Sequence, residues 1–209
     1  MYLSDVLDFV VNSEISGLGV VENYLKNDDS LAYIEARNSL VNHINLGLNQ
    51  LSTRFLTNTE VEIIDTYPEI NVYTLKQERL VRVLDVYDST GKSLKFPDTV
   101  GSTEFDIKEL AFDTFLLPKP TEEKLMFVCK VNHPTVVLDS DLILVPEAMI
   151  EALVNYVVAK VYGSVGGVSN QQNNTFYQKF ELSCNRLIEY GYSNHIDSLA
   201  KDITKRGFV

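Results

Sequence analysis

The chain has no tryptophan and little cysteine: its 209 residues hold no Trp, two Cys and six Pro. Cys129 and Cys184 stand alone in apolar patterns, with no C-x-x-C partner, so a disulfide framework and a thiolate metal knuckle give way to buried free thiols. Nor is there any run near the roughly 18 consecutive apolar residues of a membrane span, and no membrane crossing is expected. Basic charge is also scarce. Eighteen Lys and Arg against 29 Asp and Glu leave a net charge of -11 at pH 7, the wrong balance for a surface that grips nucleic-acid phosphates. The same balance keeps a protein in solution, and it suits a wall past which DNA must slide.

Catalytic signatures are missing in the same way. Gly91-Lys92-Ser93 resembles the end of a phosphate-binding loop, but position 86, where that motif needs its first glycine, is Val86. Asp88-Ser89-Thr90-Gly91 reads instead as a hairpin turn. Gly163, Gly166 and Gly167 fall between two helical patterns rather than after a strand, which rules out a dinucleotide fingerprint. There is no G-x-S-x-G elbow. His43, His133 and His195 lack the i, i+4 pairing of a helical zinc site, and the acid pairs Glu122/Glu123 and Asp139/Asp141 sit on polar turns. No enzyme, cofactor or metal is expected.

What the chain does have is a change of hydrophobic period. Leu3, Val6, Leu7 and Val10 suggest a short first helix with Ser4 as its cap. Asp5 and Asp8 lie inside that apolar run and no positive n-region precedes it, so a secretory signal is not expected and the chain is read as made and kept in a cytoplasm. Ser30 to Phe55 carries Ile34, Val41, Ile44, Leu48, Leu51 and Phe55 on one stripe of a long helix. From Thr57 the pattern becomes strand-like in VEIIDTY, NVYTL, RLVRVLDVY and KLMFVCKV, and Leu125, Phe127, Cys129 and Val131 alternate with the residues between them. No helix-length segment separates these strands, so the sheet should be antiparallel.

Helical period returns at Pro146 and runs through Met149, Ile150, Leu153, Val154, Val157, Val158 and Val161, with Gly163 as its stop. A loop over SVGGVSNQQNN should follow. A last helix then presents Phe176, Tyr177, Phe180, Cys184, Leu187 and Ile188 on one side and ends at Gly191. These stripes bury themselves most economically against one another. The expected fold is therefore α+β: a helical domain of residues 1–58 plus 140–209, with a β-rich insertion of residues 59–139 whose ends leave the bundle close together. A small basic tail, KDITKRGFV, closes the sequence with Lys201, Lys205 and Arg206.

The element order, together with DSDLILVPEAMIEALVNYVVAKVYGSVGG followed by NNTFYQKFELSCNRLIEYGY, resembles the head-to-tail adaptor family of tailed bacteriophages, also called head-completion or tail tubular A proteins. The likeness rests on Pro146-Glu147, the run Ala152-Leu153-Val154-Asn155-Tyr156, and the Tyr177/Phe180 face of the last helix. It covers the C-terminal third by pattern and the whole chain by element order, and the size of the β insertion suits a podovirus-type member. The resemblance implies a structural virion protein at the portal vertex, assembled in the host cytoplasm. It would form a ring, typically of twelve copies, each meeting its neighbour through two different faces. The ring would sit beneath the portal protein, receive the next tail or nozzle protein on its far side, and extend the channel through which double-stranded DNA leaves. Portal contacts are then expected at Lys201, Lys205, Arg206 and Phe208. Three competing readings are another tail-completion or nozzle protein, a ligand- or carbohydrate-binding β module at residues 59–139, and a hydrolase built on converging carboxylates.

Overall fold

The computed structural model describes residues 1–13, 15, 17–28, 30–94, 107–117, 123–165 and 169–192. The described residues fall into two compact units, a helical one formed by residues 1–57 and 133–192, and a β unit at Asn58–Asn132.

The helical unit contains α1 (Leu3–Val11), α2 (Gly19–Lys26), α3 (Leu31–Arg54), α4 (Ile150–Val165) and α5 (Ser169–Glu189). Helix α4 lies at its centre because its sequence is apolar almost all round. Ala152, Leu153, Tyr156, Val157, Val158, Ala159, Val161 and Tyr162 are all buried, which a two-sided environment requires. Helices α1, α3 and α5 pack around it. Gly47 of α3 lets the helices approach closely: a β-carbon there would lie 2.6 Å from Leu153 Cδ1 and 3.1 Å from Tyr156 Cδ1. On the other side of α4, Tyr162 stacks on Phe176 and Tyr156 meets Phe180 edge-on, pinning α5 antiparallel to it.

Several sequence expectations change here. Helix α1 begins two residues earlier than a Ser4 cap would allow, with Tyr2 at the cap position. The Tyr2 N–H donates to the Asp5 carboxylate at 2.8 Å, and the Leu3 and Ser4 N–H groups donate to the carbonyls of Asp141 and Asp139. Residues 133–139, placed in the β insertion by sequence, group with the helices. The Asn45 side chain explains this, since its amide donates to the Val136 carbonyl and its oxygen accepts the Val136 N–H, both at 2.9 Å. Arg37 adds bonds to the Val137 carbonyl and to Asp139. Ile34 is exposed rather than buried, because the packed stripe of α3 starts only at Ala36.

Gly163 does not stop α4, which continues to Val165. Its lack of a side chain serves packing instead: a β-carbon would meet Asn173 Nδ2 of α5 at 3.1 Å. The polar stretch from Ser169 to Thr175, expected in a loop, forms the first turns of α5, where Gln171, Gln172 and Asn174 face solvent and Asn173 faces α4. Tyr177 and Ile188 are exposed, so the buried stripe of α5 narrows to Phe176, Phe180, Cys184 and Leu187. The end of α5 is as expected. Gly191 takes φ +92°, the Tyr192 N–H reaches the Leu187 carbonyl and the Gly191 N–H reaches that of Ile188, a glycine-dependent helix stop.

The β unit has two three-stranded antiparallel sheets among its described residues. One runs in the order β1 (Thr59–Asp65), β6 (Lys124–Val131), β3 (Leu80–Tyr87); the other in the order β2 (Val72–Thr74), β5 (Thr114–Leu116), β4 (Lys108–Ala111). They share one core, in which Leu125, Phe127, Cys129 and Val131 of β6 meet Tyr73, Leu75, Phe115 and Leu117. Phe115 and Phe127 bring their ring centroids to 5.3 Å. The period-2 alternation of β6 thus faces its core as its sequence requires. Thr59 pairs with Lys130 and the Val131 N–H donates to the Asn58 carbonyl, so the chain enters and leaves this unit side by side. Asp88–Gly91 forms the expected turn, with the Asp88 carboxylate accepting from Thr90 and Lys92 and Gly91 at φ +83°.

Candidate interaction surfaces

Asp139, Asp141 and His133, singled out from sequence, serve structural ends. Asp141 accepts the Val137 and Leu138 N–H groups, which hold its carboxyl below the usual range, and Asp139 pairs with Arg37 at 2.7 Å. Together they tie the turn at residues 137–141. The His133 ring, buried, has Nδ1 2.6 Å from the Pro134 carbonyl and accepts the Leu144 N–H on Nε2, so it carries its proton on Nδ1. His43 lies half-buried on α3, where burial first and Lys160 second depress its pKa. Glu122 and His195 lie outside the described residues. Among the described residues no three His, Cys, Asp or Glu side chains converge as a metal set, and no helix is long and apolar enough to cross a membrane.

Both thiols are buried and free, as their patterns indicated. Burial first, then Glu62 and Glu60, pushes the Cys129 thiol up to about 11, and burial raises Cys184 as well. Arg54 beside Cys184 works against that rise, but neither thiol is accessible as a reactive cysteine must be. Within the β unit, one concavity of about 220 Å³ is lined by Asp65, Thr66, Tyr67, Glu123 and Lys124. That is below the roughly 300–1,000 Å³ typical of small-molecule sites.

The surfaces with most to offer are apolar or strongly charged. On the helical unit, Leu31 and Ile34 project from the first turn of α3, Leu31 being 71% exposed. On α5, Tyr177 and Ile188 lie eleven residues apart, three helical turns along one face, with Ile188 59% exposed. Between them in the chain lie Phe180 and Glu181: Arg54 of α3 grips Glu181 through two 2.6 Å bonds and caps the Phe180 ring at 4.8 Å. On the β unit, Val61 and Ile63 of β1 stand exposed beside Val128 and Met126 of β6.

Two features escaped the sequence reading. Lys130, on the strand face expected to be the less buried, has no exposed surface, and burial first, then Arg82, pushes its ammonium down to about 8. Alternation alone could not separate it from Lys124, which is exposed on the same face. The second is a cleft of about 910 Å³ in the helical unit, lined by Asp5, Asp8, Phe9, Val145, Glu147 and Ile150 among others. The i, i+3, i+4, i+7 spacing of Asp5, Asp8, Phe9 and Asn12 was a legible second stripe on α1, opposite its buried one. The expected portal-binding residues Lys201, Lys205, Arg206 and Phe208 lie outside the described residues.

No protein-family model matches the chain, and a search of curated proteins finds no match.

Proposed function

We propose that the chain is a structural virion protein whose copies close into a ring, of about twelve in the family it resembles, joining the portal protein to the tail and extending the DNA channel. The observation that supports this best is the presence of two different apolar strips on one helical unit, Leu31/Ile34 on α3 and Tyr177/Ile188 on α5. A ring needs two unlike faces on each copy, one fitting the other, whereas a two-fold dimer needs only one. The acidic balance of the chain, at -11, suits a lumen that must not hold DNA. In this reading the segment bearing Lys201, Lys205, Arg206 and Phe208 engages the portal, and the face away from the portal receives the tail or nozzle protein.

Mass photometry of the purified 23.6 kDa chain mixed with the portal of its own particle tests the reading, with an expected gain of about 280 kDa per portal. Ile34→Asp and Ile188→Asp, at exposed positions, should each abolish that gain while leaving the free chain folded. A chain that stays apart from the portal at every concentration, or a gain of one or two copies only, refutes the ring.

A further inference from the structure

We propose that the free edge of β1 is a pairing site for a second copy of this chain, the two β1 strands running antiparallel about a two-fold axis at Glu62. Among the described residues, β1 pairs with β6 alone, in a register that runs from Thr59↔Lys130 to Asp65↔Lys124 without a bulge. At the two ends of that register the Val131 N–H donates to the Asn58 carbonyl and the Thr66 N–H to the Glu123 carbonyl. Antiparallel bonding alternates along a strand. Glu60, Glu62 and Ile64 therefore turn their backbone groups towards β6, and Thr59, Val61, Ile63 and Asp65 turn theirs away. No described residue bonds the N–H or carbonyl of those four.

The other edges are blunted, as open sheets require. Strand β3 carries two register shifts, and its end is covered by the returning chain, where the Leu94 N–H donates to the Val86 carbonyl and the Asp88 N–H to that of Lys92. Strand β2 has three residues, and β4 has four with a register shift of its own. By contrast, β1 is seven residues long with neither Pro nor Lys, and its Val61 and Ile63 are 55% and 63% exposed. Its sequence, TEVEIID, also fits itself. With Glu62 opposite the partner's Glu62, Val61 meets the partner's Ile63 and Thr59 the partner's Asp65, so every outward N–H finds an outward carbonyl. A slip of one residue would set outward groups against inward ones. Within each copy Val61 lies beside Val128 and Ile63 beside Met126, so pairing lays the apolar row Val128, Val61, Ile63, Met126 across the junction twice. The one like-charge contact joins the two Glu62 side chains, each of which already accepts the Lys76 N–H. None of these residues belongs to the strips on α3 and α5, so the pairing does not depend on the ring.

Seven residues a side are far fewer than the roughly 20–30 of a standard interface, so the dimer is weak and a concentration series from about 5 to 500 μM brings it out. Sedimentation equilibrium of the full-length chain, without portal, should show the mass rising from 23.6 kDa towards twice that value. Amide exchange read by NMR over the same series should find Glu60, Glu62 and Ile64 protected throughout, and Val61 and Ile63 slowed about tenfold only at the high end. Val61→Pro removes an outward N–H that bonds nothing in its own chain, and should weaken the dimer about tenfold or more because the two-fold axis counts the loss twice. Ile63→Lys should weaken it through the side chain, and Glu62→Gln should tighten it about threefold. A monomer throughout the series overturns the proposal and leaves the edge to a strand of another protein. So does slow exchange of Val61 and Ile63 that dilution leaves unchanged, which would put a segment of the same chain on the edge. A dimer that survives Val61→Pro and Ile63→Lys but is lost in Ile188→Asp overturns it too, by moving the contact to α5. No portal enters this experiment, so its failure and that of the ring reading are told apart.

Discussion

Replacing Lys130 by Met should make the β unit more stable, and the size of the gain follows from its burial. The ammonium has no exposed surface, and its pKa falls from 10.5 to about 8, through burial first and Arg82 second. A difference near 2.5 units corresponds to about 3 kcal/mol between charged and neutral forms. Because the folded value lies below the unfolded one, the cost is fully present below about pH 8, where both states are protonated. It then shrinks as pH rises to 10.5, because the folded chain sheds a proton that the unfolded chain still holds. Between about pH 8 and 9 stability of the β unit therefore rises with pH in the native chain relative to Lys130→Met; above pH 9 the raised Cys129 thiol works the other way in both chains.

The two buried thiols supply the assay. Cys129 belongs to the β core and Cys184 to the helical core, so iodoacetamide labelling read by mass spectrometry reports the opening of each unit separately. At pH 7.5, with rates normalised to the unfolded chain, Lys130→Met should slow Cys129 labelling about 100-fold and leave Cys184 unchanged. Faster Cys129 labelling in the variant would refute the reasoning, since it would mean that the buried ammonium is held by an ion pair worth more than its desolvation.

Gly47→Val should lower stability by about 2 kcal/mol, as overpacking against Leu153 and Tyr156 outweighs the gain in helix propensity; calorimetry of the full chain reads it as a lower Tm. Asn45→Ala should cost about 2 kcal/mol by orphaning the Val136 N–H and carbonyl, with faster amide exchange expected over residues 133–139. A double-mutant cycle of Arg54→Ala and Glu181→Ala should return a coupling of about 1 kcal/mol, discounted because both side chains are about one-third exposed. Arg54 holds the Glu181 carboxyl below its ordinary value, so that contribution is present above pH 4.5 and disappears as pH falls through the folded value, which urea melts at pH 3 and pH 6 would show.

Of the interaction surfaces, the exposed ones were least legible from sequence. Ile34 and Ile188 looked like core residues because an apolar side chain at helical spacing is normally buried, and only their neighbours decide otherwise. The cleft shows the reverse. The acids on α1 were visible, but their junction with Val145 and Glu147 brings together residues about 140 positions apart, which no local pattern records.

Local chemistry alone determined the helices, the strands and most of their ends. The α3 stripe from Val41 to Phe55, the alternation of β6, the Asp88–Gly91 turn and the Gly191 stop all follow from periods and backbone preferences that act within a few residues. Tertiary structure decided what those elements touch. It carried α4 past Gly163, because that glycine faces Asn173, and it drew residues 133–139 to the helices through Asn45 and Arg37. It also closed the face of β6 over Lys130. The division is physical: periodicity reports which side of an element is apolar, but hydrogen-bond satisfaction and burial are settled only by distant parts of the chain meeting.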